Sequence, residues 1–113
     1  MGLLLTKEGI LSIDDIRTKI IDVPGWNGSV KVRGLNATER DDLEAKTISN
    51  KMTNQSAWIA SKCIIDESGK QIFQLADVIE LGKKSAPALQ LVASEVLRLS
   101  GFSKEALEEL EKP

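Results

Sequence analysis

Three acidic residues near the start of a predicted helix are the side chains of this chain that could most readily do chemistry. Asp41, Asp42 and Glu44 lie within one helical turn, and neighbouring carboxylates can serve as general acid and general base. They follow Glu39 and Arg40, however, at a position where negative charge stabilises the positive end of the helix dipole. We therefore interpret them as solvated residues of the first helical turn and not as a catalytic pair.

A second acidic segment, residues 66–71, has the outline of a calcium-binding loop. Such a loop supplies oxygen ligands from its first, third and fifth positions and has glycine at its sixth. Here the fifth position is Lys70 and the sixth is Gln71, so a cation would meet a positive charge where it needs a ligand. The segment therefore predicts an ordinary turn over residues 66–70, with Gly69 at positive φ.

The residues that usually activate a nucleophile are missing from the sequence. The chain contains no histidine and no tyrosine, and its single cysteine is Cys63. Histidine is the usual general base and the commonest metal ligand, and a lone cysteine can form neither an internal disulfide nor a multi-thiolate zinc site. The sequence also has no Ser-x-x-Lys motif and no glycine-rich phosphate loop. We therefore predict a protein without catalytic activity, cofactor or metal, in which Cys63 is a core residue.

Length and composition predict a single domain, residues 1–113, with an aliphatic core. Hydrophobic residues make up 42% of the 113 residues, but aromatic residues only 4%. The 15 basic and 17 acidic residues give a net charge of -2, so nothing indicates the concentrated basic surface that nucleic-acid binding needs. No apolar run approaches the roughly 20 residues of a membrane span, and the N-terminal leucines lack the basic leader of a secretory signal. These features predict a cytosolic protein that binds neither nucleic acid nor membrane.

Residues 18–34 have the pattern of a β-hairpin. The pair Asn27-Gly28 is the preferred dipeptide for a two-residue type I′ turn, because both positions need positive φ. Such a turn sets the register and would pair Val23 with Val32. The alternation of apolar and charged residues predicts one buried face, formed by Ile21, Val23, Val30 and Val32.

Helical patterns precede and follow the hairpin. Ser12 is placed to cap a short helix over residues 13–16. After the hairpin, Asn36 and Glu39 form a capping box at the start of a longer helix. The helical pattern continues through residues 37–65, where the sequence leaves open whether there is one long helix or two, and its last ten residues are apolar enough to be buried.

The C-terminal half predicts three more helices. A brief helix over residues 76–81 ends at Gly82, and Ser85 caps a strong amphipathic helix that stops at Gly101. A last helix covers residues 104–111. The predicted fold is therefore α+β, with an N-terminal β-hairpin packed with a mostly helical domain of about four to six helices.

Two apolar features could bind a partner. Trp26 lies beside the predicted hairpin tip, where it either folds back over the domain or presents an apolar surface to another protein. Phe102, Leu107 and Leu110 form an apolar strip near the chain end, which either docks on the domain or contacts another chain. Trp58, by contrast, lies in the apolar part of the helical region and is predicted to be a core residue.

The order of several short motifs resembles that of one protein family. The chain contains, in order, Val-Pro-x-Trp, Val-x-Val-Arg-x-Leu, Thr-Glu-Arg-Asp, Asp-Glu-x-Gly-x-x-x-Phe and Leu-Ser-Gly-Phe. In this order and spacing, from about Ile10 to Glu111, the chain resembles the tail assembly chaperones of long-tailed bacteriophages and prophages. Each motif is common by itself, and the resemblance lies in their succession within a short chain.

The resemblance implies an accessory protein of the infected bacterial cytoplasm that is absent from the mature virion. Such chaperones coat the long helical tape measure protein and keep it soluble until tail tube subunits polymerise around it. The expected partners are therefore the tape measure protein, the tail tube protein and further copies of the chain itself. Many members are also made in a longer, frameshifted form. The alternative is a structural minor tail or head-tail joining protein that is retained in the virion.

Overall fold

The computed structural model describes residues 4–48 and 54–102 and has the predicted α+β class. Its strands form one antiparallel sheet in the order β1-β2-β3. The elements, in chain order, are α1 (Lys7–Ser12), β1 (Thr18–Val23), β2 (Gly28–Arg33), α2 (Ala37–Ile48), α3 (Gln55–Cys63), β3 (Ile64–Ile65), α4 (Val78–Leu81) and α5 (Ala86–Leu99). The helix predicted over residues 104–111 lies outside the described residues.

The hairpin forms where it was predicted, but its register differs. Val23 pairs with Gly28 instead of Val32, four positions away, because residues 24–27 all belong to the loop. Pro24 opens a short 3₁₀ turn, Pro24–Trp26, and Asn27 alone takes positive φ, at 54°. The predicted type I′ turn is therefore wrong. The predicted buried face is nevertheless retained, because a shift of an even number of residues leaves every side chain on its original face.

A third strand, which the sequence pattern did not predict, follows α3 without a break. Ile64 and Ile65 pair with Val32 and Lys31 of β2. The chain then turns at residues 66–70 with Gly69 at φ 90°, as predicted, and Gln71 forms a bridge back to Ile65.

The N-terminal helix differs from the predicted one in position. It covers Lys7–Ser12, and Thr6 caps it by accepting a hydrogen bond from the Gly9 N–H at 3.1 Å. Residues 13–16, which were predicted to be helical, follow the helix and belong to no regular element. The earlier start of the helix has a local cause, because Thr6 is also a good N-cap and Glu8 follows it in the first turn.

The predicted capping box at the start of α2 is confirmed. The Glu39 N–H donates to the Asn36 Oδ1 at 2.8 Å, and the Asn36 N–H donates to the Glu39 Oε1 at 3.1 Å. The helical region contains two separate helices, α2 and α3. Asn54, immediately before α3, has a left-handed backbone with φ 55°, which a continuous α-helix does not allow.

Helix α5 begins and ends at the predicted residues. The Ser85 hydroxyl accepts from the Ala88 N–H at 3.4 Å, and Gly101 has φ 88° beyond the last turn. The Phe102 N–H and the Gly101 N–H donate to the Leu97 and Arg98 carbonyls, which is a Schellman motif.

The core lies between one face of the sheet and the helices α3 and α5. Trp58 and Cys63 are buried there, as predicted. The buried apolar side chains are aliphatic for the most part, including Ile21, Val23, Val32, Leu43, Ile59, Leu89, Val92 and Val96. Within residues 4–48 and 54–102, no helix has the length and apolar character needed to cross a membrane.

Candidate partner-binding surfaces

Trp26, the first predicted contact residue, lies against the domain. The Pro24–Trp26 turn packs on α5, and a Cβ added to Gly25 would lie 3.6 Å from the Ala88 Cβ. The Trp26 side chain is half-buried and packs against the core cluster. Of the two alternatives for Trp26, the geometry corresponds to the one in which it folds back over the domain, with part of its surface accessible.

Phe102, the second predicted contact residue, is also half-buried against the core. The Arg40 guanidinium lies over its ring, with Cζ 4.3 Å from the ring centroid. This cation–π contact covers one face of the ring. Leu107 and Leu110, which were predicted to continue the apolar strip, lie outside the described residues.

The most accessible apolar side chains belong instead to the N-terminus. Leu4 is 99% exposed and Leu11 75% exposed, and none of the residues of α1 is buried. We use the term N-terminal apolar segment for Leu4, Leu5, Ile10, Leu11 and Ile13, which are all exposed. Isolated exposed aliphatic residues are ordinary, but several within ten residues form a surface that another apolar surface can cover. The sequence reasoning considered these leucines only as a possible leader and missed this surface.

A second apolar surface lies on the outer face of the sheet, opposite the core. Strand pairing places Ile20 across from Lys31 and Lys31 across from Ile65, so the three side chains form a row on this face. Ile72 follows the turn and is held beside β3 by its N–H, which donates to the Ile64 carbonyl at 3.3 Å. Ile20 and Ile72 are exposed and Ile65 is buried, and together with Lys31 and Asp66 they line a shallow cavity of about 360 Å³, which we call the outer-face groove.

The most strongly bonded polar group of the described residues is a half-buried ion pair between Arg33 and Glu39. The Arg33 guanidinium donates two hydrogen bonds to the Glu39 carboxylate, at 2.7 and 2.9 Å. It also donates to the carbonyls of Gly34 and Lys62, each at 2.9 Å. These four hydrogen bonds all join residues of the same domain, so we interpret the cluster as a structural link between β2, α2 and α3.

The two members of this pair stabilise each other's charged forms. The hydrogen bond to Glu39 raises the pKa of Arg33, although burial opposes the effect. Burial by itself would raise the pKa of Glu39, but the hydrogen bonds from Arg33 and from the Asn36 N–H outweigh it and hold that pKa below its ordinary value. Both groups are therefore ionised over the pH range in which the protein would work, and neither is poised to exchange a proton.

The other residues considered for chemistry do not form a reactive site. Asp41, Asp42 and Glu44 are exposed on α2, and Glu44 is paired with Arg40 at 3.2 Å. Burial raises the pKa of the Cys63 thiol to about 12, so the nucleophilic thiolate is rare near neutral pH. Among residues 4–48 and 54–102, no group of three or more His, Cys, Asp or Glu side chains is placed to hold a metal ion.

The acidic turn after β3 is held together by its own aspartate. The Asp66 carboxylate accepts hydrogen bonds from the Ser68 N–H, the Ser68 hydroxyl and the Lys70 N–H, at 2.7 to 3.0 Å. These bonds lower the pKa of Asp66, the hydroxyl of Ser68 having the largest effect. Its carboxylate oxygen is therefore engaged in forming the turn, in agreement with the predicted role.

A groove between α3 and α5 has a volume of about 320 Å³. Small and polar side chains line it, among them Asn54, Ala57, Gln90 and Ser94. Of the described residues around it, Lys84 alone carries an ionisable side chain. The groove therefore offers no pair of groups for acid–base catalysis.

Comparison with protein-family models, with curated proteins and with solved structures gave no match to this chain. The resemblance described above therefore stays a prediction, and the surfaces are assigned from the geometry of the chain alone. Of the predicted contact residues within the described part, both pack partly into the domain. The exposed apolar side chains of the described part include the N-terminal apolar segment and, at the outer-face groove, Ile20 and Ile72.

Proposed function

We propose that this chain is a tail assembly chaperone of a long-tailed bacteriophage or prophage. In this role it binds the tape measure protein in the host cytoplasm and keeps it soluble while the tail tube assembles, without catalysing a reaction. The ordered motifs from about Ile10 to Glu111 suggest the family. The observation that carries the proposal is the N-terminal apolar segment, in which five apolar side chains within ten residues are 49 to 99% exposed.

The N-terminal apolar segment is suited to contact an amphipathic helix. Leu4 and Leu5 precede α1, and Ile10 and Leu11 lie within it. A helical partner would place its own apolar stripe on these side chains and remove both surfaces from water. The neighbouring Lys7, Glu8, Asp14 and Asp15 would remain solvated and keep the complex soluble.

The energetics favour many weak contacts over one strong contact. If half the surface of each of the five side chains leaves water, each contributes about 1 kcal/mol, or about 5 kcal/mol together. Association of two proteins costs about 4–15 kcal/mol in lost freedom of motion. A single copy would therefore bind weakly, whereas successive copies along a long partner would gain from multiple attachment. A chaperone that coats a long helical protein needs such weak binding by each copy and strong binding by many copies together.

Binding to the tape measure product of the same gene cluster tests the proposal. In a pull-down with purified proteins, the wild-type chain should retain the tape measure protein. Ile10→Asp removes an apolar contact of about 1 kcal/mol and also places a carboxylate that must lose water on binding. The two effects together exceed the roughly 1.4 kcal/mol that corresponds to a factor of ten, so the retained amount should fall at least about tenfold. Circular dichroism should show that Ile10→Asp remains folded, because Ile10 is exposed.

Ile79→Asp is the matched control. Ile79 is an exposed isoleucine of similar accessibility that belongs to α4 and not to the N-terminal apolar segment, and its substitution should leave retention unchanged. Equal retention by wild-type protein and Ile10→Asp would refute the assigned surface. No retention by the wild-type chain would refute the proposed function itself.

Particle composition separates a chaperone from a structural tail protein. Mass spectrometry of purified virions should detect the tape measure and tail tube proteins but not this chain. Its presence there at a fixed ratio to the tail tube protein would contradict the chaperone role and favour a minor tail or head-tail joining protein.

A further inference from the structure

The groove between α3 and α5 has an apolar floor and a polar rim. The buried side chains at its floor are Ile59, Leu89, Ala93 and Leu97. The exposed residues Gln90 and Lys84 lie on its rim. Several of the other side chains that line it are small, such as Ala86 and Ser94, and small side chains allow another helix to approach closely. A surface of this composition fits an amphipathic helix with a narrow apolar stripe.

The chain leaves α5 at one end of this groove. Gly101, at φ 88°, ends the helix, so the chain turns away from the axis of α5 instead of continuing along it. The Phe102 N–H donates to the carbonyl of Leu97, which lines the groove, at 3.1 Å. Phe102 also packs against the core. The residues that follow Phe102 therefore start next to the groove.

The sequence that follows has a pattern complementary to the groove. Leu107 and Leu110 are three residues apart, so they share one face of the helix predicted over residues 104–111. Four acidic residues occupy the remaining faces, namely Glu105, Glu108, Glu109 and Glu111. On the rim of the groove, Lys84 is positively charged and forms no ion pair with another residue of 4–48 or 54–102. The charge of this segment is therefore opposite to that of the rim.

We propose that residues 104–111 pack as a helix in the groove between α3 and α5 of the same chain, antiparallel to α5. Leu107 and Leu110 then cover the apolar floor. The acidic end of the segment lies beside the N-terminal end of α5, where Lys84 is placed to meet its carboxylates.

The length of the segment agrees with this direction. Along α5, seven residues separate Leu97, next to which the segment starts, from Gln90 on the rim. Seven residues also separate Ser103 from Leu110, and each distance is about 10 Å along a helix. An antiparallel arrangement therefore places Leu110 beside Gln90.

The covalent connection to α5 favours this segment over any separate chain as the occupant. A short linker gives the attached segment an effective concentration in the millimolar range. A separate helix at micromolar concentration would need an intrinsic affinity about a thousandfold higher to compete for the groove. The packing would remove Leu107 and Leu110 from the surfaces available to a partner. It rests on the groove and the connecting chain and does not depend on the proposed chaperone function.

Disulfide formation within the full chain tests the packing. The double variant Gln90→Cys/Leu110→Cys should form an intramolecular disulfide on air oxidation at micromolar concentration, because the proposed register places the two residues side by side. Leu91→Cys/Leu110→Cys is the matched control, since Leu91 is also exposed on α5 but does not line the groove. Its disulfide should form at least about tenfold more slowly although its tether is nearly the same. The buried Cys63 should contribute to neither.

Charge reversal on the rim tests the direction of the segment. In the Gln90→Cys/Leu110→Cys chain, Lys84→Glu should slow disulfide formation about threefold at low salt and have little effect at high salt. Lys83→Glu is the control, because Lys83 is paired with Glu80 at 3.2 Å and does not line the groove. Equal effects of the two lysine substitutions would refute the antiparallel direction. Equal rates for the two cysteine pairs, or disulfides that form mainly between chains, would overturn the proposed packing.

Discussion

Arg33, the last residue of β2, and Glu39, in the first turn of α2, form a two-point ion pair with N–O distances of 2.7 and 2.9 Å. The same carboxylate accepts from the Asn36 N–H and so completes the capping box of α2. One side chain therefore both starts a helix and ties that helix to the sheet. Arg33 extends the link to α3 through the Lys62 carbonyl.

Replacing Glu39 should destabilise the fold measurably. Glu39→Gln removes the negative charge and one acceptor from a half-buried guanidinium, so we expect the free energy of unfolding to fall by about 1.5–3 kcal/mol. Glu44→Gln is the control, because the Arg40–Glu44 pair is exposed and should contribute less than about 1 kcal/mol. Urea denaturation measures both. Equal losses for the two variants would show that the Arg33–Glu39 pair has no special role.

The same pair predicts how stability depends on pH. Because the pKa of Glu39 is lowered in the folded state, its contribution is fully present above the unfolded pKa of about 4.3. It is then lost as pH falls through the lower, folded pKa. The difference in unfolding free energy between wild type and Glu39→Gln should therefore be constant near neutrality and shrink in acid. A difference that stays unchanged down to the acid limit would contradict the lowered pKa.

Cys63 should be unreactive in the native protein. Burial raises the pKa of its thiol to about 12, and the side chain has no accessible surface. At pH 8 a disulfide reagent such as Ellman's should label the native chain at least about 100-fold more slowly than the chain unfolded in urea. Rapid labelling of the native protein would show that Cys63 is accessible.

Gly34 should not tolerate a side chain, because two backbone segments approach each other there. A Cβ at Gly34 would lie 3.1 Å from the Leu99 carbonyl oxygen and 3.3 Å from the Ser100 nitrogen. Gly34→Ala should therefore lower the free energy of unfolding by about 1–3 kcal/mol. At Gly28 the nearest atom to a Cβ is the Trp26 carbonyl oxygen, at 3.9 Å, so Gly28→Ala should cost clearly less. Similar thermal midpoints for the two variants would contradict the close approach.

Features that depend on neighbouring residues were predictable from the sequence. The capping box at Asn36, the Ser85 cap and the turns at Gly69 and Gly101 each need only a few consecutive residues, and all four are present. The buried face of the hairpin was also predicted correctly, because alternation of apolar residues determines which face is buried.

The hairpin register and the third strand show where such prediction fails. Alternation is identical for registers that differ by an even number of residues, so the loop decides, and here Pro24 starts a longer loop than Asn27-Gly28 suggested. Ile64 and Ile65 are too few to show a period of two, and they follow a helix directly.

The accessible surfaces were less predictable than the fold, because the exposure of a side chain depends on which elements pack against it. Trp26 was considered equally suited to folding back or to binding, and packing on the core is a tertiary property. The exposure of the N-terminal leucines likewise depends on how α1 packs, which the sequence pattern does not show.

Co-expression with the tape measure product of the same gene cluster tests the central claim most directly. The measured quantity is the fraction of tape measure protein in the soluble lysate, with the wild-type chain, with Ile10→Asp, or with an unrelated protein of similar size. We predict that the wild-type chain moves most of the tape measure protein into the soluble fraction, and that Ile10→Asp does so much less. A soluble fraction that is the same with the wild-type chain and with the unrelated protein would contradict the chaperone function.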